Sequence, residues 1–134
     1  MTDSTPNNQA VLTEDRIHSV IGSDGIATMV AAFYRQVPDD DILGAMYPAH
    51  DLGGAEERLR LFLIFRFGGP QDYLQQRGHP QLRLRHAPFA INQNARDRWI
   101  QLMSNAITEC QFSVEVSAVL QTFLGNIATF LMNR

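Results

Sequence analysis

The sequence predicts an all-α fold, and three observations support that prediction. Apolar residues recur every three or four positions through several long segments, which is the period of an amphipathic helix. Apolar and polar residues do not alternate over any stretch long enough for a strand. Clusters of glycine and proline, the residues that end helices, separate the periodic segments. We therefore expect a set of helices joined by short breaks.

Length and composition limit the classes of protein that this chain can belong to. A chain of 134 residues forms one domain, and the polar residues 1–12 are expected to be a disordered tail before a folded domain over 13–134. The net charge of −3 does not favour nucleic acid as a partner. The longest apolar run, 61–65, is far shorter than the ~20 residues of a membrane span.

The expected compartment follows from the N-terminal residues and from cysteine usage. The first residues show neither the basic nor the apolar block of a targeting peptide. The single Cys110 cannot form an internal disulfide and is expected to be a small buried hydrophobe. We expect a cytoplasmic protein.

Two helices are predicted before residue 38. Thr13 is the candidate cap of a short helix with acidic residues in its first turn, and the segment 22–25, with its two glycines, ends that helix. From Ile26 the apolar period continues to Pro38, and this second helix turns Tyr34 inward. A short turn follows over 39–45.

Tyr47 is expected to lie at an extended corner. It directly precedes Pro48, and a residue before proline is pushed out of the helical region. The predicted helix 52–67 follows, and Gly68, Gly69 and Pro70 end it. This helix is apolar on nearly every side, so it must be buried between two layers, one of which could be a flat apolar cofactor.

His86 is expected at the end of a short helix. The segment 70–80 is polar and irregular, with one helical turn near 72–76, and the run 82–87 is stopped by Pro88. A long apolar helix, a break and a short helix that ends in histidine form an arrangement that holds a haem between them. A lone buried histidine is, however, more often structural than a metal ligand. The other histidines form no cluster with the spacing of a zinc site.

Two long core helices complete the chain. The first covers 91–110, with Asn92 and Asn94 as rival caps, and its apolar stripe includes Trp99. The second covers about 113–132 and contains Gly125. Tyr34, Tyr47 and Trp99 thus all lie on apolar faces, where they could be ordinary core aromatics whose polar tips reach backbone or water.

Taken together, these motifs resemble those of a bacterial truncated haemoglobin of the second group. The similarity runs from about Ile17 to the C-terminus and rests on the following segments: Phe33-Tyr34, Met46-Tyr47-Pro48, 51–60, Gly68-Gly69-Pro70, Arg77-Gly78-His79-Pro80, 84–89 and Arg96-Asp97-x-Trp99. Two positions depart from the family pattern. Arg66-Phe67 stands where an aromatic pair is usual, and the glycine pair between the first helices is split into Gly22 and Gly25.

The resemblance implies a shortened globin fold, a 2-over-2 helical sandwich around haem b. It assigns His86 as the proximal ligand of the haem iron. The other ring nitrogen of such a histidine usually donates to a backbone carbonyl, and the carbonyl of Leu82, one turn earlier, is the expected acceptor.

The resemblance also assigns a distal pocket for the gas ligand. Its predicted members are Tyr34, Tyr47, Ala55, Leu59 and Trp99. Ala55 leaves room beside the haem, Leu59 forms an apolar wall, and the three aromatics provide hydrogen-bond donors. Bound oxygen carries partial negative charge, which such donors stabilise in a dry pocket.

Further residues are expected to hold the haem itself. Arg58 and Arg85 are candidates to pair with its propionates, because a guanidinium matches a carboxylate with its forked donors; the alternative is that both are solvated surface arginines. The remaining predicted contacts are apolar: Phe62, Leu82, Phe89 and Met103.

The function that the resemblance implies is reversible binding of oxygen, carbon monoxide and nitric oxide by haem. A redox role against nitric oxide, peroxide or peroxynitrite, as an oxidoreductase of dioxygenase or peroxidase type, is left open. Such turnover would need an external reductase, because the chain has no flavin or nicotinamide motif. The alternative from a different class is a haem-free helical interaction module on the same scaffold.

Overall fold

The computed structural model describes residues 11–134, and this range contains six helices and no strand. The helices are α1 (Ile17–Gln36), α2 (Leu52–Arg66), α3 (Asp72–Arg77), α4 (Leu82–His86), α5 (Gln93–Cys110) and α6 (Val114–Phe130). Short 3₁₀ turns cover Glu14–Arg16 and Ala49–Asp51. The all-α prediction is confirmed, whereas most of the predicted tail, residues 1–10, lies outside the described range.

Helix α1 contains the break that the sequence predicted between its first two helices. Gly22 has φ 72° and ψ 174°, a conformation that residues with a side chain rarely adopt. The chain resumes helical geometry at once, so the two predicted helices form one kinked element. Thr13 precedes the 3₁₀ turn Glu14–Arg16, but its side chain does not cap that turn; its hydroxyl donates to the Asp15 carboxylate at 2.5 Å.

The glycines after α2 allow that helix end to dock on the start of α1. Gly68 has φ 95°, and a Cβ there would collide with the carbonyl oxygen of Asp15. A Cβ on Gly69 would lie 2.6 Å from the His18 ring. The backbone N–H of His18 donates to the Phe67 carbonyl at 2.9 Å. This close approach excludes side chains at both glycines.

The last two helices begin at side-chain caps. The Asn92 side chain accepts a hydrogen bond from the backbone N–H of Ala95 at 2.9 Å, so Asn92 and not Asn94 is the cap, and α5 starts at Gln93 and not at residue 91. The Ser113 hydroxyl accepts from the N–H of Val116 at 3.2 Å and starts α6.

The helices pack as two pairs around a shared apolar core. Helix α1 packs against both α2 and α5, and α5 packs against α6. The largest fully buried side chains include Phe33, Phe67 and Met103. Among residues 11–134 no helix is long and apolar enough to cross a membrane.

Candidate functional site

Four aromatic rings from three parts of the chain meet in one cluster. Phe33 lies at their centre, with ring centroids 5.0 Å from Tyr34, 5.4 Å from Trp99 and 6.5 Å from Tyr47. The rings of Tyr34 and Tyr47 meet edge to face at 5.6 Å. The structure thus brings together three predicted distal residues, which come from α1, from the corner before Pro48 and from α5.

Both tyrosine hydroxyls of this cluster are held neutral. Burial raises the pKa of Tyr34 well above its ordinary value, and the neighbouring Tyr47 raises it further. Burial also raises the pKa of Tyr47, although the nearby polar groups of Trp99 and Tyr34 partly oppose this. The Tyr34 hydroxyl donates to the Ala55 carbonyl at 3.3 Å. The cluster therefore presents hydrogen-bond donors and no charge.

Helix α2 forms an apolar wall next to the aromatic cluster. Ala55 and Leu59 are partly buried and pack against the core, and Phe62 is buried one turn further along. The Phe62 ring lies 5.5 Å from that of Tyr73 on α3. The predicted members of this wall therefore follow one another on successive turns of α2.

His86 has the hydrogen bond that the sequence predicted. Its Nδ1 lies 2.7 Å from the carbonyl oxygen of Leu82. Because a carbonyl only accepts, Nδ1 is the donor of this bond, and the neutral tautomer with its proton on Nδ1 has its free lone pair on Nε2. No residue in 11–134 forms a hydrogen bond with Nε2. The His86 ring is therefore oriented by Nδ1, and Nε2 is the nitrogen available to a metal.

The other predicted haem contacts lie in different environments. The Phe89 ring is 6.4 Å from that of His86 and remains 40% exposed. Leu82 is partly buried, and Met103 is buried on α5. The assignment of these residues to a haem stays a prediction.

Both candidate arginines are held by this chain. Arg58 forms an ion pair with Asp51 at 3.0 Å. Arg85 donates to the carbonyls of Pro80 at 2.7 Å and Arg77 at 2.8 Å. Neither is a freely solvated side chain, and each keeps N–H groups that these contacts do not use. Their pairing with propionates stays a prediction.

Sequence reasoning missed Asn133, which contacts the segment after His86. Its side-chain N–H groups donate to the carbonyls of Phe89 at 2.9 Å and His86 at 3.3 Å. Its side-chain oxygen accepts from the N–H of Ile91 at 2.9 Å. No local pattern marks a residue near the C-terminus as the partner of a histidine 47 positions earlier.

The chemistry of the side chains around His86 and α2 fits a haem. His86 offers a neutral imidazole nitrogen, which is a ligand that haem iron takes. Leu59 and Phe62 offer apolar surface for the flat ring, and the guanidinium groups of Arg58 and Arg85 suit its carboxylates. These residues would hold the haem between α2 and α4.

A separate groove of about 540 Å³ lies elsewhere on the surface. It is lined by residues of the N-terminal turn and α6 around the ion pair of Glu14 and Arg66, and it contains none of the predicted site residues. The aromatic cluster and His86, which this groove does not include, are the candidate functional site.

Comparison with known proteins agrees with this site. The family model of the bacterial-like globins matches residues 16–132. The group 2 truncated hemoglobin YjbI of Bacillus subtilis is 30% identical over 117 residues, which is 87% of this chain and 88% of that protein.

Two solved structures show the same fold at significant identity. The hemoglobin of Chloroflexus aurantiacus has a TM-score of 0.84 and 39% identity, covering 88% of this chain and 98% of that one. The truncated oxygen-avid haemoglobin of Bacillus subtilis has a TM-score of 0.83 and 30% identity, covering 87% and 98%. The chain therefore belongs to the bacterial-like globins, as a truncated haemoglobin of group 2 with the 2-over-2 fold and haem as its cofactor.

Proposed function

We propose that this protein binds a b-type haem through His86 and reversibly binds oxygen, carbon monoxide and nitric oxide in the pocket of Tyr34, Tyr47 and Trp99. The observation that carries the proposal is the hydrogen bond of 2.7 Å from His86 Nδ1 to the Leu82 carbonyl, which leaves Nε2 free. Bound haem would supply an iron centre that takes a diatomic gas.

The proximal residues of the proposal orient one imidazole. The Leu82 carbonyl fixes the tautomer and the plane of the His86 ring. Asn133 holds the backbone from His86 to Phe89, the segment that follows the histidine ring's helix, by donating to the carbonyls of both residues. Leu82 thus restrains the imidazole ring, and Asn133 restrains the backbone that carries it.

The distal residues of the proposal stabilise charge on a gas ligand and exclude water. Trp99 can only donate, and the neutral Tyr47 hydroxyl can donate as well, whereas the Tyr34 hydroxyl donates to the Ala55 carbonyl. Leu59 and Phe62 keep the neighbouring surface apolar, which strengthens each hydrogen bond. The related protein of Bacillus subtilis is described as oxygen-avid, which supports oxygen as the ligand here.

The test is an absorption spectrum of the purified protein supplied with haem and reduced to the ferrous state with dithionite, the excess of which is then removed. We expect a Soret band that shifts when oxygen or carbon monoxide is added and returns when the gas is removed. A colourless protein after expression with ample haem would reject the proposal and favour the haem-free interaction module.

A redox activity against nitric oxide, peroxide or peroxynitrite stays a prediction that rests on family resemblance alone. Stopped-flow mixing of the oxygenated protein with nitric oxide, followed by turnover with an external reductase, measures it directly. Absence of turnover would leave reversible gas binding as the function.

A further inference from the structure

One carboxylate connects the corner that carries Tyr47 with the helix that carries Trp99. Asp40 lies in the turn after α1, and only 7% of its side chain is exposed. One carboxylate oxygen accepts the backbone N–H groups of Ile42 at 3.0 Å and Leu43 at 2.7 Å. The other accepts from Arg98 Nη1 at 2.5 Å. Such a carboxylate fixes a turn and a neighbouring helix at once.

The contacts of Asp40 lead directly to both distal residues. The Leu43 carbonyl accepts the backbone N–H of Tyr47 at 3.2 Å, so Asp40 and Tyr47 are two hydrogen bonds apart. Arg98 is the residue before Trp99 on α5. A shift of Asp40 would therefore change the position of Tyr47 relative to Trp99.

Asp41 provides a natural comparison. Its carboxylate accepts from the same Arg98 Nη1 at 2.7 Å, but 82% of the side chain is exposed. Within residues 11–134 it accepts no backbone N–H of the turn. Both carboxylates thus pair with Arg98, whereas only Asp40 also accepts the backbone N–H groups of Ile42 and Leu43 among the residues that the structure describes.

We propose that Asp40 is a positioning residue that sets the separation of Tyr47 and Trp99 and thereby controls the rate at which oxygen leaves the pocket. The inference rests on the gas-binding function proposed above. Asp40 does not touch the ligand, and it acts through the turn at Leu43 and through Arg98.

The experiment compares Asp40→Asn with Asp41→Asn in the haem-loaded protein. Both variants remove one negative charge beside Arg98, but only Asp40→Asn also weakens the hydrogen bonds to the backbone N–H groups of Ile42 and Leu43. We expect Asp40→Asn to raise the oxygen dissociation rate by about fivefold or more, the effect of one weakened charged hydrogen bond. Asp41→Asn should stay within about twofold, as exposed ion pairs do.

A combined variant separates positioning from a general loss of structure. In the background of Tyr47→Phe with Trp99→Phe, Asp40→Asn should change the oxygen dissociation rate by less than about twofold, because coupled residues are not additive. Persistence of the full effect in that background would overturn the proposal.

A spectroscopic readout does not depend on ligand kinetics. Trp99 is the only tryptophan in the chain, so its ultraviolet resonance Raman bands report the hydrogen bonding of this one indole. The bands should shift in Asp40→Asn and not in Asp41→Asn. If Asp40→Asn does not fold, Arg98→Gln is the second variant. It removes the ion pair between Asp40 and α5 and keeps the hydrogen bonds of Asp40 to Ile42 and Leu43. The Trp99 bands are expected to shift in this variant as well.

The outcomes distinguish the two proposals. If the wild type binds no haem, the gas-binding function is wrong, while the Trp99 bands still test the link to Asp40. If the wild type binds oxygen and Asp40→Asn matches Asp41→Asn in rate and bands, the function stands and the positioning role of Asp40 is wrong.

Discussion

Trp99 and the two tyrosines differ in what their polar groups can offer a ligand. The indole N–H only donates, whereas each hydroxyl can donate or accept. The Tyr34 proton already points to the Ala55 carbonyl at 3.3 Å, and Tyr47 lies between the polar groups of Tyr34 and Trp99. Trp99 is therefore expected to be the principal donor.

Trp99→Phe should accelerate oxygen dissociation. The substitution keeps most of the apolar volume and removes the donor, and a hydrogen bond to a charged group contributes ~1.5–3 kcal/mol, or roughly 10- to 150-fold. Carbon monoxide, which carries less charge when bound, should respond less. Flash photolysis and stopped-flow mixing measure both rates. A rate within twofold of wild type, together with a strong effect of Tyr34→Phe or Tyr47→Phe, would assign the ligand to the tyrosines.

The oxygen dissociation rate should be flat from neutral pH to about pH 10, the ordinary pKa of tyrosine. Burial raises the pKa of both Tyr34 and Tyr47, so their hydroxyls keep their protons across this range. In the unfolded chain these tyrosines lose protons first, so stability should fall as pH rises past that ordinary value. A rise in the oxygen dissociation rate centred near pH 8 or 9 that disappears in Tyr47→Phe would contradict the raised pKa of Tyr47.

At the scale of single helices, Gly125 is a position where a substitution can stabilise α6. A Cβ at Gly125 would meet only Ile100 Cδ1 at 4.0 Å, an ordinary contact. Gly125→Ala should stabilise the fold by roughly 1 kcal/mol through helix propensity. Gly68→Ala should destabilise it, because φ is 95° and the new Cβ would meet the Asp15 carbonyl. Urea unfolding measures both, and equal midpoints for the two variants would refute this account of α6 and of the docked end of α2.

The end of the chain after α6 is expected to restrain the proximal segment. Asn133→Ala removes the hydrogen bonds to His86, Phe89 and Ile91, so haem should transfer faster to an acceptor globin. Asn105→Ala is the matched control, because Asn105 is also exposed and, within residues 11–134, its side chain donates only to Gln36 on α1, at 3.0 Å. Equal transfer rates for the two variants would show that Asn133 has no influence on the haem.

The sequence predicted those elements that local chemistry decides. Gly22 breaks the first helix and Pro88 follows the short helix that ends at His86, as expected from glycine and proline. The hydrogen bond from His86 to Leu82 was also predictable, because it spans one helical turn. Asp40 and Arg98 lie 58 positions apart, and no pattern of spacing joins such a pair. The central role of Phe33 likewise follows from packing between helices, which one sequence does not reveal.

At the scale of the whole molecule, two helix pairs place an aromatic cluster and a free imidazole nitrogen around α2. Helix α1 brings Tyr34, α5 brings Trp99, and the corner between α1 and α2 brings Tyr47. The short α4 presents His86 after the break that follows α2. The fold is that of the truncated haemoglobins that the chain matches, and the gas-binding proposal depends on His86 as the ligand of the iron.

The resonance Raman spectrum of the reduced, ligand-free protein tests that claim most directly, because the iron–histidine stretching band reports the bond itself. The account predicts this band in the wild type and in His79→Ala, whose histidine is exposed. In His86→Ala the band should be absent, with haem lost or disordered, and added imidazole should restore it. A His86→Ala protein that keeps its haem and shows the band at the wild-type position would contradict the account.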